Sequence, residues 1–314
     1  MTVSTNILLL GVVGACLVSC RARDERMGSL QKALGDTLVQ PQKIGDAVVI
    51  GDTDLTGNRN LEAGLPKFTA SSFAPKSDVY LSRKQFVIYY NVKAKIPAWT
   101  AWQVVDTDLG EQLRSNRFRG DDILNNYLRV KERTEGVSAD DYGNTCFDRG
   151  HQAASADRSN SQEDNEATYY MSNMAPQTAF LNERIWAGLE KHTRKLVEEK
   201  GNKIQVYAGP IMKDGREGIG PNKDIQVAEA FFKVLAIYPN KAAKKPTSYI
   251  AVIMPNATSN GLDPVANKQV TCKEQDKGGT GSLSVEWESY QVKLKDIEQK
   301  AGISFPGLAG LEKA

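Results

Sequence analysis

Histidine is nearly missing from this chain, with two in 314 residues. Cysteine is scarce as well, four in all, and no Cys and His pair off at zinc-finger spacing. Neither sign of charge prevails: Lys plus Arg is 40 and Asp plus Glu is 38, which excludes the strong basic excess of many passive nucleic-acid binders. Any basic surface has to be concentrated locally. No internal repeat is visible, which argues against a solenoid or propeller. The first 20 residues hold no charged side chain, yet their apolar run from Ile7 to Val18 is too short to be a membrane span. What remains, 40% hydrophobic and 25% charged, is the balance of an ordinary globular protein rather than a disordered one.

That apolar run fits the h-region of an export signal. Leu17, Val18, Ser19 and Cys20 follow it in the order of a bacterial lipobox, where small residues before a cysteine permit lipid transfer to its thiol. Met1 to Asn6 carries none of the Lys or Arg usual ahead of such a run, so soluble secretion stands beside a lipid anchor at Cys20 facing the periplasm or the exterior. Cys16 and Cys20 belong to the leader, which leaves Cys146 and Cys272 as the one pair in the mature chain. Export to an oxidising compartment would let them bond, and two buried free thiols is the alternative.

Three segments are expected: a signal peptide over 1–20, a polar tether over 21–77 and a folded domain over 78–314. The tether is rich in Gly, Asp, Thr, Ser and Gln, with brief apolar patches such as Ala47 to Ile50. Strand-like runs of aromatic and β-branched residues occupy Phe86 to Tyr90, Trp99 to Val105, Ile204 to Tyr207, Phe231 to Tyr238 and Tyr249 to Met254. Helical periodicity is clearest from Asn182 to Glu199, through Ile185, Trp186, Leu189, Leu196 and Val197. A second helix is expected over Tyr290 to Gln299. Strands and helices mingle without a βαβ rhythm, so the fold class is α+β.

The chemistry is concentrated between Tyr142 and Arg194. Asp148-Arg149-Gly150-His151-Gln152 comes first, then Tyr170-Met171-Ser172-Asn173-Met174-Ala175-Pro176-Gln177, then Leu181-Asn182 leading to Trp186 and Glu190. This ordered series resembles the DNA/RNA nonspecific endonuclease family, with its ββα-metal core of antiparallel-rich sheet and flanking helices, over roughly Asp78 to Phe305. A lone histidine is ordinarily structural, but imidazole suits a base near neutral pH, and the resemblance implies that role for His151. His192 is read as solvated. Asn182 alone would be a helix cap; the resemblance makes its amide oxygen the direct protein ligand to magnesium, or manganese in its place. A hard cation reluctant to shed water can be held by one oxygen.

Asn182, Trp186, Glu190 and Arg194 recur every fourth residue and drift only about 40° per step around a helix. The bland reading is a core Trp186 with a surface Glu190 to Arg194 ion pair. The resemblance instead implies that Glu190 orients water at the metal and Arg194 joins the surrounding charge network, with Trp186 left as core. Arg149 and Arg114 are the expected phosphate-binding guanidiniums, while solvated side chains is the plain reading for Arg114, Arg117 and Arg119. Asp148 is expected to support the turn, Gly150 to permit a close backbone approach, and Asn173 to brace the helix or base. The implied reaction is sequence-nonspecific hydrolysis of DNA and RNA to 5′-phosphate ends, with a protein inhibitor as a further partner. A binding or uptake protein that has lost catalysis, and a phosphodiesterase on small phosphoesters, are the alternatives.

Overall fold

Ile96–Val104, Lys203–Ile211 and Ala230–Tyr238 are buried at every position, which requires a sheet covered on both faces. The computed structural model describes residues 42–44, 47–69, 79–277 and 286–314 and supplies that cover. Its strands are β1 (Gln42–Ile44), β2 (Ala47–Gly51), β3 (Lys67–Phe68), β4 (Val79–Ser82), β5 (Val87–Asn91), β6 (Ile96–Val104), β7 (Asp148–His151), β8 (Met174–Gln177), β9 (Lys203–Ile211), β10 (Ala230–Tyr238), β11 (Ser248–Pro255), β12 (Ile303–Ser304) and β13 (Glu312–Lys313). Nine of these form one sheet in the order β1-β2-β4-β5-β6-β9-β10-β11-β13. Neighbours run antiparallel except at the β2/β4 and β11/β13 pairs, which are parallel. Helices α1 (Asp122–Tyr127), α2 (Gln162–Ala167), α3 (Ala187–Lys200), α4 (Lys268–Asp276) and α5 (Leu294–Ala301) lie among them.

Alternation along each strand sends successive side chains to opposite faces. Leu81, Ile88, Val206, Phe231, Leu235 and Val252 share one cluster with Met174, Leu181, Ile185, Trp186 and Leu189. Tyr80, Tyr89, Trp99, Tyr207, Phe232 and Val234 meet Leu294, Ile297, Phe305 and Leu308 on the other. Each fully buried side chain of this size contributes roughly 1.5–3 kcal/mol. The face holding Trp186 carries the hairpin β7–β8, whose register pairs Asp148 with Gln177 and His151 with Met174. A π-helical segment Leu181–Trp186 follows the hairpin and runs straight into α3. Gly201, at φ 68°, ends α3 by donating to Val197 O at 3.1 Å.

The predicted strands all form, and four of them reach further: β6 begins at Ile96, β9 continues to Ile211, β10 starts at Ala230 and β11 runs Ser248–Pro255. Pro97 and Pro210 lie outside the β6–β9 ladder, which pairs Thr100–Val104 with Ile204–Ala208, so neither interrupts it with a missing N–H. The predicted second helix starts late, at Leu294, after a 3₁₀ turn over Trp287–Tyr290. A larger correction concerns the tether. Ala47–Gly51 pairs with β4, and Leu55, Asn60 and Ala63 are buried, so this part of 21–77 belongs to the folded body. Short polar turns around those few apolar residues disguise it. The leader and Cys20 lie outside the described residues. Among the described residues, no helix is long and apolar enough to cross a membrane.

Candidate active site

The segment Leu181–Trp186 starts on Thr178, whose hydroxyl accepts from Leu181 N at 3.2 Å. Thr178 is itself held by Asn256 Oδ1 and Ala257 O at 2.9 and 2.7 Å. Asn182 is therefore no cap; its own N–H already bonds to Thr178 O at 2.9 Å. Its side chain is free for another task, and Nδ2 donates to Asp148 Oδ2 at 3.0 Å. Four residues on, Trp186 Nε1 donates to the carbonyl of His151 at 3.3 Å. Both ends of β7 are thus tied to one helical stripe, Asp148 to Asn182 and His151 to Trp186.

Asp148 is held from a second side, its Oδ1 accepting from Gln275 Nε2 of α4 at 3.1 Å. Cys272 on the same helix is joined to Cys146, just ahead of β7, across 126 residues of sequence. Gly150 does permit a close approach, though by a side chain: a Cβ there would meet Gln177 Oε1 at 2.3 Å. Asn173 grips the chain after His151, with Oδ1 accepting from Ala153 N and Nδ2 donating to Ala153 O and Thr168 O, all at 2.9 Å.

His151 is buried against Tyr169 and Phe118, at 4.8 and 5.7 Å between ring centroids. Among the described residues its Nε2 is buried without a hydrogen-bond partner. Burial first, and the Arg114 guanidinium second, lower its pKa from 6.5 to about 3, so the imidazole is neutral at physiological pH. Of the three arginines in the 114–119 stretch, Arg114 is the one that faces this ring. Arg117 and Arg119 pair with Glu166, at 2.9 and 3.9 Å. Arg149 donates to Ala139 O at 2.8 and 3.2 Å and lies 5.0 Å from the Phe118 ring centroid, so it shares Phe118 with His151.

Glu190 and Arg194 do not take each other as hydrogen-bond partners. Arg194 Nη1 donates to Asp157 Oδ1 at 3.0 Å, and Asp157 Oδ2 accepts from Trp102 Nε1 at 2.9 Å. Glu190 Oε1 accepts from Lys233 Nζ at 3.3 Å. Lys233 lies 3.9 Å above the Trp186 ring, so Trp186 joins the histidine group to the carboxylate group. Sequence reading missed Lys233 and Asp157; the available signal was one lysine inside the otherwise apolar run Phe231 to Tyr238. His192, expected to be solvated, instead packs on Trp287 with ring centroids 4.7 Å apart, and burial lowers its pKa.

The donor set at Asn182 suits a hard cation. Because Nδ2 is engaged by Asp148, the planar amide turns Oδ1 away from that carboxylate. Desolvation and the Asp148 charge push the Glu183 carboxyl up, a sign of crowded negative charge beside Asn182. Among the described residues, no cluster of three or more Asp, Glu, His or Cys forms a cage. A hard cation at this point would find the Asn182 amide oxygen as a protein donor.

Comparison with known proteins agrees with this geometry. The chain is 30% identical over 235 residues to a nuclease of Nostoc sp., covering 73% of each chain. It is 32% identical over 245 residues to the mitochondrial endonuclease G of Homo sapiens, covering 71% of this chain and 68% of that one. A chain of a solved EndoG/EndoGI complex superposes with a TM-score of 0.58 at 21% identity, over 80% of this chain and 91% of that one, which speaks for the fold. The family model described as DNA/RNA non-specific endonuclease matches residues 66–309. With β7, β8 and the helix from Leu181 forming its ββα unit, the protein belongs to the DNA/RNA non-specific endonuclease family, an α+β chain of ββα-metal fold and a non-specific nuclease.

Proposed function

We propose that the chain is a magnesium-dependent endonuclease cutting DNA and RNA to 5′-phosphate ends, with His151 as general base. The observation that carries this reading is the buried imidazole of His151, packed on Phe118 and Tyr169 and under the charge of Arg114, with its Nε2 unpartnered among the described residues. A buried nitrogen left unpaired costs about 1–3 kcal/mol, and native proteins keep such groups where chemistry or hydration uses them. His151 takes the proton from the attacking water. Its basicity is low in the free protein because the ring is buried and, second, because Arg114 is cationic. A phosphate neutralising Arg114 relieves the second of these causes, so the base strengthens when substrate arrives.

Arg114 binds the phosphate, while Arg149 holds the Ala139 turn and the Phe118 ring that back the histidine. Asp148 orients the Asn182 amide, whose Oδ1 would hold the cation. Bound there, magnesium supplies charge stabilisation for the phosphate and the departing 3′ oxygen. Glu190 orients water at that site and Arg194 anchors Asp157 beside it. Contacts to phosphate carry no sequence information, which suits a non-specific enzyme. The EndoG/EndoGI likeness supports a protein inhibitor as partner. The Leu17 to Cys20 stretch supports export with a lipid anchor at Cys20, which intact-mass analysis of protein from the native host tests.

The deciding experiment incubates supercoiled plasmid, or single-stranded RNA, with the protein and magnesium. Nicking, linearisation and 5′-phosphate termini are expected, with chelation abolishing all three. In Asn182→Ala the magnesium needed for half-activity should rise. Gel retardation without cutting, or turnover of small diesters alone, would overturn the assignment.

A further inference from the structure

Strand β10 reads Ala-Phe-Phe-Lys-Val-Leu-Ala-Ile-Tyr, and Lys233 is its one charge, with 1% of its side chain exposed. An ammonium has three donors. Among the described residues this one finds a single acceptor, Glu190 Oε1 at 3.3 Å, and otherwise rests 3.9 Å from the Trp186 centroid and 5.7 Å from that of Trp102. Stability is a poor reason to keep a lysine there, because replacing a buried ion pair by apolar side chains is often neutral or stabilising. The aromatic cradle would accept a methionine.

Glu190 sits on α3 about two turns beyond Asn182. Arg194, the nearer cation on the same helix, is committed to Asp157, which is held in turn by Trp102. The hydrogen bond to Glu190 comes from the sheet beneath. We propose that Lys233 is a positioning residue for phosphodiester cleavage, fixing the Glu190 carboxylate in one orientation toward the site formed by Asn182 and His151. This rests on the part given to Glu190 under the proposed function. The charges that face the carboxylate are Lys233 from β10, Arg194 from α3 itself and Asp157 from the 3₁₀ turn Ser155–Arg158. Arg194 is already committed to Asp157, so removing Lys233 takes away the carboxylate's hydrogen-bonded cation.

The test uses the full chain with magnesium and plasmid. Lys233→Met keeps the length of the side chain and is expected to lower kcat about 10- to 100-fold. KM should stay within about 2-fold, as for an interaction that acts on turnover rather than binding. The thermal midpoint is expected to fall, because Glu190 loses its buried partner, so kcat is read well below the midpoint of each variant. Lys233→Gln, which keeps a donor without charge, should fall between. In a Lys233→Met, Glu190→Gln double variant the loss should be no greater than in Glu190→Gln alone, since the two act as a unit. Wild-type kcat in Lys233→Met overturns the proposal. So do losses that multiply in the double variant, or losses that merely follow a fallen thermal midpoint in both lysine variants. A full-speed Glu190→Gln enzyme overturns the carboxylate's part and this inference with it. A slow Glu190→Gln beside a full-speed Lys233→Met overturns the lysine's role alone.

Discussion

Two lysines are buried in neighbouring strands of the central sheet, on opposite faces, and their surroundings differ. Lys203 of β9 donates to both oxygens of Glu62 at 2.8 Å and to Ala243 O at 2.6 Å, and lies 4.4 Å from the Tyr238 ring centroid. Its three donors are all met. Lys233 of β10 has one acceptor, at 3.3 Å. The same contrast extends beyond the lysines. Among the described residues, His151 Nε2 and both amide atoms of Gln177 on the β7–β8 pair, and of Gln152 just after it, are buried without partners. The opposite face has exceptions spread over separate strands, Trp99 Nε1, Gln205 Oε1 and the Tyr238 hydroxyl. Where a buried polar group serves the fold, its hydrogen bonds are completed. Where it serves a reaction, capacity is left for substrate, water or metal.

The strongest way to break this contrast is His151→Ala. Cleavage of plasmid in excess magnesium should fall about 100- to 10,000-fold, measured well below the thermal midpoint, which also falls because the emptied site leaves a cavity against Tyr169 and Phe118. Near-normal nicking would end the mechanism. Next is the Cys146–Cys272 bridge, which pins α4 to the start of β7. Cys272→Ser should cost about 2–5 kcal/mol in denaturant unfolding and raise the magnesium requirement, since Gln275 would hold Asp148 less firmly. Thiol labelling of Cys146 and Cys272 themselves in denatured, unreduced protein would sink the bridge itself.

Acid should expose the base. The His151 pKa is lowered from 6.5 to about 3 in the folded state, so the unfolded chain binds the proton first. The stability is whole above pH 6.5 and is lost as pH falls from there toward 3. By about pH 5 the loss from this group is roughly 2 kcal/mol. Thermal midpoints of the wild type and His151→Gln should therefore converge, or cross, on acidification; parallel curves would refute the linkage. The smallest effect is expected at Lys203→Met. One quarter of the Glu62 side chain is exposed, at 25%, so its orphaned charge is partly hydrated. The cost should be about 1–3 kcal/mol, with turnover of the folded enzyme unchanged. A fall in kcat at constant stability would erase the distinction between the two lysines.

Much of this was legible in one dimension. The long apolar runs announced β6, β9, β10 and β11, because strands buried on both faces have few polar positions to confuse them. The series from Asp148 to Glu190 marked the site through its resemblance to a family, and helical spacing marked the helix, while β7 and β8 were not read as strands. Gln42–Ile44 and Ala47–Gly51 were hidden, since their pairing partners are distant or their apolar patches short, and composition there read as a tether. His192 looked solvated because its partner, Trp287, lies far along the chain.

The sequence by itself determined which residue types are available: one histidine in a motif, one asparagine ahead of an amphipathic helix, one pair of cysteines, one lysine in an apolar strand. Whether each is used was decided only in three dimensions. Asn182 is released from capping because Thr178 takes that task, and its amide is aimed by Asp148, 34 residues away. Glu190 turns from the local partner Arg194 to Lys233, 43 residues on, because the sheet brings an otherwise unsatisfied ammonium under the helix. Helical spacing shows which side chains can meet; burial and the count of unmet donors decide which of them do.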